Sequence, residues 1–132
     1  MLWNKYFLPF FALLCLVAIL HSVAEVESYY WTVWWYDIMM HFLGGAWVAL
    51  AILWASEMPF AGFIKSRLSI RSIVLSVIVV GVVWEIYELA FGLTSVHTIG
   101  YALDTAHDLV MDTAGAGVVS LVWKRFIKSP TK

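Results

Sequence analysis

Six of the nine acidic side chains in this sequence recur at helical spacing, and a histidine accompanies them. Asp37 and His41 lie four residues apart. Glu85 and Glu88 lie three apart. Asp104, Asp108 and Asp112 form an i, i+4, i+8 ladder with His107 beside it. Residues three or four apart share one face of a helix, so each set can aim its oxygens and imidazole at a common point. Carboxylates with one or two imidazoles suit a divalent cation, from Mg²⁺ or Mn²⁺ through Fe²⁺ to Zn²⁺. The candidate metal ligands are Asp37, His41, Glu85, Glu88, Asp108 and Asp112. A carboxylate left uncoordinated, with Glu85 and Asp108 as the candidates, is a potential general base. The single cysteine, Cys15, excludes a disulfide framework within the chain and any cysteine-based zinc site.

The elements that must position these groups are membrane spans. The chain has 132 residues, a one-domain length, but is 63% hydrophobic and only 13% charged. Ordinary soluble domains are about 25% charged. With 8 Trp, 6 Tyr and 8 Phe as well, a water-soluble globule of this size could not hide its apolar surface. A net charge of −1 excludes a basic nucleic-acid footprint, so nucleic acid is not expected as a partner. A bilayer core takes roughly 20 apolar residues per helix. Four stretches qualify: about 3–23, 32–54, 71–92 and 106–126. The expectation is an all-α polytopic membrane protein, one domain over 1–132, folded as a four-helix transmembrane bundle with short links. Thr105, with Asp108 three residues on, reads as a capping box opening the last helix.

Basic residues set the orientation. Lys5 precedes the first stretch; Lys65, Arg67 and Arg71 fall in or beside the second loop; Lys124, Arg125, Lys128 and Lys132 close the chain. With four spans all 8 lie on one side, which places both termini in the cytoplasm of a bacterial inner membrane. Of the 9 acids, only Glu57 falls on that side. Asp37, His41, Glu85 and Asp112 then lie roughly 8–13 Å below the outer helix ends, at about 1.5 Å per residue. Glu88 and Asp108 are shallower, and Asp104 and His107 stand at the mouth. The expected site is an outward-facing acidic pocket. Gly44, Gly45, Gly115 and Gly117 would let the second and fourth helices approach closely. Trp31, Trp34, Trp35, Tyr36, Trp84 and Tyr87 would supply an interfacial belt. Six carboxylates without a Lys or Arg cannot all stay ionised in low dielectric, so shared protons, a bound cation or a cationic ligand must compensate.

Plainer readings stand beside these. An intramembrane Asp–His pair is often a hydrogen bond between helices, and Asp104 also reads as a simple helix cap. Glu85 and Glu88 could be protonated and hydrogen-bonded. His21 and His97 read as interfacial or loop residues. The run from Lys5 to Ser22-Val23-Ala24 also has the outline of a signal peptide, but its apolar part is long for one, so a retained helix is expected. Gly100-x3-Asp104-x3-Asp108 matches only the last part of the CDP-alcohol phosphotransferase motif, whose upstream half is missing.

Taken in order, Asp37-x3-His41-Phe42, Trp84-Glu85-x2-Glu88 and Asp108-x3-Asp112-x2-Gly115 resemble the VanZ-like and YjdF-like families of small bacterial inner-membrane proteins. The similarity runs from about Tyr36 to Val119. It implies a small helical membrane protein and points to Asp37, His41, Glu85, Glu88, Asp108 and Asp112. For VanZ it implies an association with the cell envelope or glycopeptide resistance. Three functions follow from the residues. The first is a divalent-metal-dependent enzyme acting by hydrolysis or phosphoryl transfer on a lipid or polyprenyl-phosphate headgroup. The second is a non-catalytic envelope protein that binds a cationic component or a partner. The third is a proton or cation transporter, which the apolar inner halves of the helices oppose unless a homo-oligomer builds the path.

Overall fold

The computed structural model describes residues 3–127 and is helical throughout, with no strand among them. Helix α1 runs Phe7–Glu27, a short α2 Tyr29–Thr32, α3 Tyr36–Ser56, a short α4 Gly62–Arg67, α5 Ile70–Phe91 and α6 Tyr101–Val122. A π-helical turn follows over Trp123–Ile127. Lys128 and Lys132, counted above among the basic residues, lie outside the described residues. Helices α1, α3 and α5 are long and apolar enough to cross a membrane. Helix α6 matches α5 in length and carries Asp104, Asp108 and Asp112.

Local chemistry fixes the helix ends. At the start of α5, the Ser69 hydroxyl accepts from the Ser72 N–H at 3.1 Å, and the Ser72 hydroxyl accepts from the Ser69 N–H at 2.8 Å. This capping box satisfies two otherwise orphaned donors. The other end closes at Gly92, whose φ of 69° suits a residue without a side chain. The Gly92 and Leu93 N–H groups donate back to Leu89 and Glu88, so α5 stops one turn after the second acid. The capping box expected at Thr105 is not present. Helix α6 starts five residues earlier, at Tyr101 after Gly100, and Thr105 sits inside its second turn with its hydroxyl engaged elsewhere.

Helix α6 is the hub. Its main packing partner is α3, with α5 second. A Cβ on Gly45 would strike the Asp112 backbone, and one on Gly115 would strike the Phe42 carbonyl oxygen. The α3–α6 backbones are therefore in direct contact, the approach that small residues permit between helices in a membrane. Gly117, also expected to serve this contact, has open space around it. Below the glycines, Ala49 and Leu53 of α3, Ile73 and Val77 of α5 and Ala116 of α6 form a buried core closed by Tyr6 and Trp123.

Helix α1 departs from a symmetric bundle. It leans on α3, with Ala24 against Tyr36 and Met40 and the Tyr36 hydroxyl donating to the Leu20 carbonyl at 2.9 Å. At its other end the Asn4 side chain donates to the Trp54 carbonyl at 3.0 Å, and Phe10 stacks on Trp47 and Trp54. Leu8, Phe11, Leu16, Ile19, Val23 and Val26 stay exposed. A helix apolar on nearly every face has no reason to prefer protein over lipid on its outer side.

These contacts put the two ends of the molecule in chemical opposition. The start of α1, the end of α3, the start of α5 and the end of α6 meet at one end, with Lys5, Lys65, Arg67, Arg71, Lys124 and Arg125. Glu57 is the one acid there and receives Lys65 at 3.0 Å, an exposed pair of small energetic weight. The opposite end gathers the start of α3, the end of α5 and the start of α6.

Candidate metal centre

Helix α3 presents Asp37 and His41 on one face, and α6 presents Asp108 and Asp112 on the face that meets it. His41 lies between them. Its Nε2 is 3.9 Å from Asp37 Oδ1 and 3.8 Å from Asp108 Oδ1, while its Nδ1 is 3.5 Å from Asp112 Oδ1. One ligand atom each from Asp37, His41 and Asp108 falls within 4.8 Å of the others, the spacing of a set that can share one cation. Asp112 engages the opposite ring nitrogen. A proton on Nδ1 facing Asp112 leaves the Nε2 lone pair facing Asp37 and Asp108, the arrangement in which an outer carboxylate orients a metal-ligating histidine.

The glycines explain how these groups fit. Asp112 occupies the notch between Gly44 and Gly81. Its Oδ2 lies 2.6 Å from where a Cβ on Gly81 would stand, and its Oδ1 4.0 Å from one on Gly44. A carboxylate here needs a small residue on each neighbouring helix. Gly81 carried no signal in the sequence, because its role depends on which residue of α6 faces it.

Exposure falls from the rim inward. Asp104 is exposed and the Asp37 side chain is 39% exposed, against 10% for His41, 10% for Asp112 and 6% for Asp108. Asp104 lies near enough to act electrostatically on both Asp37 and Asp108. His107 is exposed and stands outside the group. Asp37 and Asp104 thus form the rim of an acidic seam between α3 and α6, with His41, Asp112 and Asp108 inside it.

Glu85 and Glu88 enter from α5 in different ways. Glu85 is buried, at 6% exposure, and its Oε2 accepts from the Thr105 hydroxyl at 2.7 Å. Its Oε1 is buried without a hydrogen-bond partner, although Asp37 and Asp108 both feel its charge. Glu88 is half-buried and accepts from the Trp84 indole N–H at 2.9 Å, so it is turned partly onto its own helix. Replacing Thr105 with Val removes the one donor to Glu85 and leaves both oxygens unsatisfied. The expected outcome is a loss of about 1–3 kcal/mol, read by thermal or denaturant unfolding in detergent, with Thr105→Ser near wild type. Equal stability of Thr105→Val and wild type would show that Glu85 does not depend on this bond.

Aromatic residues rim the acidic end. Trp31 and Trp34 are strongly exposed, while Trp84, Tyr87 and Phe91 stack along α5. Tyr30 on α2 is pushed up to about 12 by burial and by the charge of Asp37. Its hydroxyl and His21 Nδ1 share a hydrogen bond at 2.9 Å. His21, read as interfacial, thus ties the end of α1 to α2.

Three helices able to cross a bilayer, joined to an acid–imidazole cluster at one end, define a small helical membrane protein with a buried polar centre. Residues 7–129 match the family described as "Predicted membrane protein (DUF2238)", and the chain belongs to that family. No curated protein and no solved structure matches it.

Proposed function

We propose that this chain is a divalent-metal-dependent enzyme of the bacterial inner membrane that acts on a lipid or polyprenyl-phosphate headgroup by hydrolysis or phosphoryl transfer. The observation that carries this reading is the meeting of Asp37, His41 Nε2 and Asp108 within 4.8 Å at an end of the molecule that holds no Lys or Arg among the described residues. Buried carboxylates that lack a cationic side chain are stabilised by a bound cation, and the oxygen-rich donor set with one imidazole fits Mn²⁺, Mg²⁺, Zn²⁺ or Fe²⁺. Such a cation would polarise a phosphoryl oxygen and make bound water more acidic. Asp112 holds the imidazole. Glu85, with one oxygen fixed by the Thr105 hydroxyl and the other unpaired, is the candidate general base. Asp104 and Glu88 border the entrance.

Four spans with both termini cytoplasmic complete the proposal. Helix α6 crosses beside α3 and α5 because Asp108 and Asp112 face protein rather than lipid, and the segregation of basic residues to one end supports a cytoplasmic assignment for that end. The acidic end then faces outward, where envelope lipids and their phosphorylated carriers are within reach. The resemblance to VanZ-like and YjdF-like proteins fits an envelope role.

Metal analysis of the purified full chain tests the reading. Protein refilled with Mn²⁺, Zn²⁺ or Fe²⁺ is expected to hold about one ion per chain, and Asp37→Asn or Asp108→Asn to reduce that content sharply. No retained metal in any form, or equal retention by both variants, rules the proposal out. Stoichiometric metal without turnover of any lipid phosphate would favour the non-catalytic envelope reading.

A further inference from the structure

The end of the molecule remote from the acids carries its own unfilled feature. Because α1 leans on α3, a groove remains between α1 and α6, floored by α3. It holds about 210 Å³ and is walled by Pro9, Leu50, Val118 and Val122, with Lys5 and Trp123 at its basic end. The walls are almost wholly apolar, and Lys5 is exposed, its ammonium 5.0 Å from the Tyr6 ring centre.

We infer that this groove is a binding site for one anionic phospholipid, with an acyl chain against Pro9, Leu50, Val118 and Val122 and the headgroup phosphate beside Lys5. Two complementarities meet here. An apolar channel running along α6 from Val118 to Trp123, about 7 Å at 1.5 Å per residue, takes the upper part of an acyl chain lying parallel to the helices. The mouth lies at an end where Lys5, Arg67, Arg71 and Lys124 face a single acid, Glu57, already engaged by Lys65. Basic side chains at a helix end are attracted to anionic headgroups and only weakly to zwitterionic ones. A second copy of this chain fits the groove less well. It would cover Lys5 without bringing a free acid to this end, since Glu57, already engaged by Lys65, is the one acid among the described residues of its own basic end.

Native mass spectrometry of the full chain, delipidated in detergent, tests the site. The probes are phosphatidylglycerol, phosphatidylcholine with the same acyl chains, and inorganic phosphate. Phosphatidylglycerol is expected to bind at one per chain, ahead of phosphatidylcholine, with inorganic phosphate failing to displace it. Lys5→Gln should weaken phosphatidylglycerol by about fivefold, the loss expected of one cation at an anionic surface. Val118→Trp, which fills the groove, should remove the bound lipid, whereas Val79→Trp on the exposed face of α5 should not. Equal binding of the two lipids, or no change in Lys5→Gln, overturns the inference. So does displacement by inorganic phosphate. A Val118→Trp chain that passes from dimer to monomer with lipid binding intact would assign the groove to a second copy. Lys5 is exposed and its substitution leaves the core untouched, so the test stands even if the tryptophan variant does not fold.

Discussion

Valine in place of Gly45 or Gly115 will keep α3 and α6 from closing, and the chain will lose the larger part of its stability. The reason is what a side chain would meet. From Gly45 a Cβ would lie 2.6 Å from the carbonyl carbon and Cα of Asp112, and from Gly115 it would lie 2.8 Å from the Ala46 nitrogen and 3.1 Å from the Phe42 carbonyl carbon. Those atoms are backbone, so no rotamer change relieves the clash and the helices must separate. Overpacking a close-fitted core costs about 1–3 kcal/mol where side chains can adjust, and here the upper end or more is expected. Separation would also pull His41 away from Asp108 and Asp112, which belong to the opposite helix. Gly81→Ala should fall between these variants and wild type, because its Cβ would meet the ends of the Asp112 and Leu109 side chains, which can move. Gly117→Ala, with open space around it, should be indistinguishable from wild type. Thermal unfolding of the purified variants, with the monodisperse fraction as second readout, ranks all four. A Gly45→Val protein as stable as wild type would mean that α3 and α6 do not touch as described.

The sequence reveals the helices better than it reveals their contacts. Apolar runs placed α1, α3, α5 and α6 to within about five residues at each end, because a bilayer-length stretch of Leu, Val, Ile and Ala is visible without any tertiary context. Of the acids expected to converge with His41, Asp37 and Asp108 reach it as one group, which antiparallel order favours because residues near the facing ends of neighbouring helices come close. Three features were hidden. Thr105 read as a cap because Ser or Thr three residues before an acid has that local pattern. Its actual partner, Glu85, lies 20 residues away. Gly81, and the opposite ring nitrogens of His41 that Asp108 and Asp112 face and on which their proposed difference in role rests, depend on helix rotation, which periodicity leaves open. The displaced position of α1 was equally invisible, because a helix apolar all round does not declare which face meets protein.

That difference in role between the aspartates of α6 can be measured. His41→Ala should abolish Zn²⁺ binding, whereas Asp112→Asn should weaken it by 10- to 100-fold without abolishing it, as outer-shell substitutions around metal sites do. The argument rests on which ring nitrogen each carboxylate faces. Asp108 and Asp37 approach Nε2, where a lone pair can take a cation, while Asp112 approaches Nδ1, where it can only accept a proton or a hydrogen bond. Asparagine at 112 keeps the shape and an acceptor oxygen but loses the charge that makes the imidazole a stronger donor to a metal. Alanine at 41 removes the nitrogen ligand itself, leaving oxygens alone, and should shift any residual preference from Zn²⁺ toward Mg²⁺ or Mn²⁺. Calorimetric titration of the full chain with Zn²⁺ and Mn²⁺ separates the cases. Stability gives an independent readout, since a metal that binds only the folded chain at 100 times its Kd contributes about 2.7 kcal/mol. Wild type should therefore gain thermal stability with Zn²⁺, Asp112→Asn should need 10- to 100-fold more of it for the same gain, and His41→Ala should show none. If Asp112→Asn and His41→Ala lose binding to the same extent, Asp112 is itself a ligand and the assignment of the two ring nitrogens is wrong.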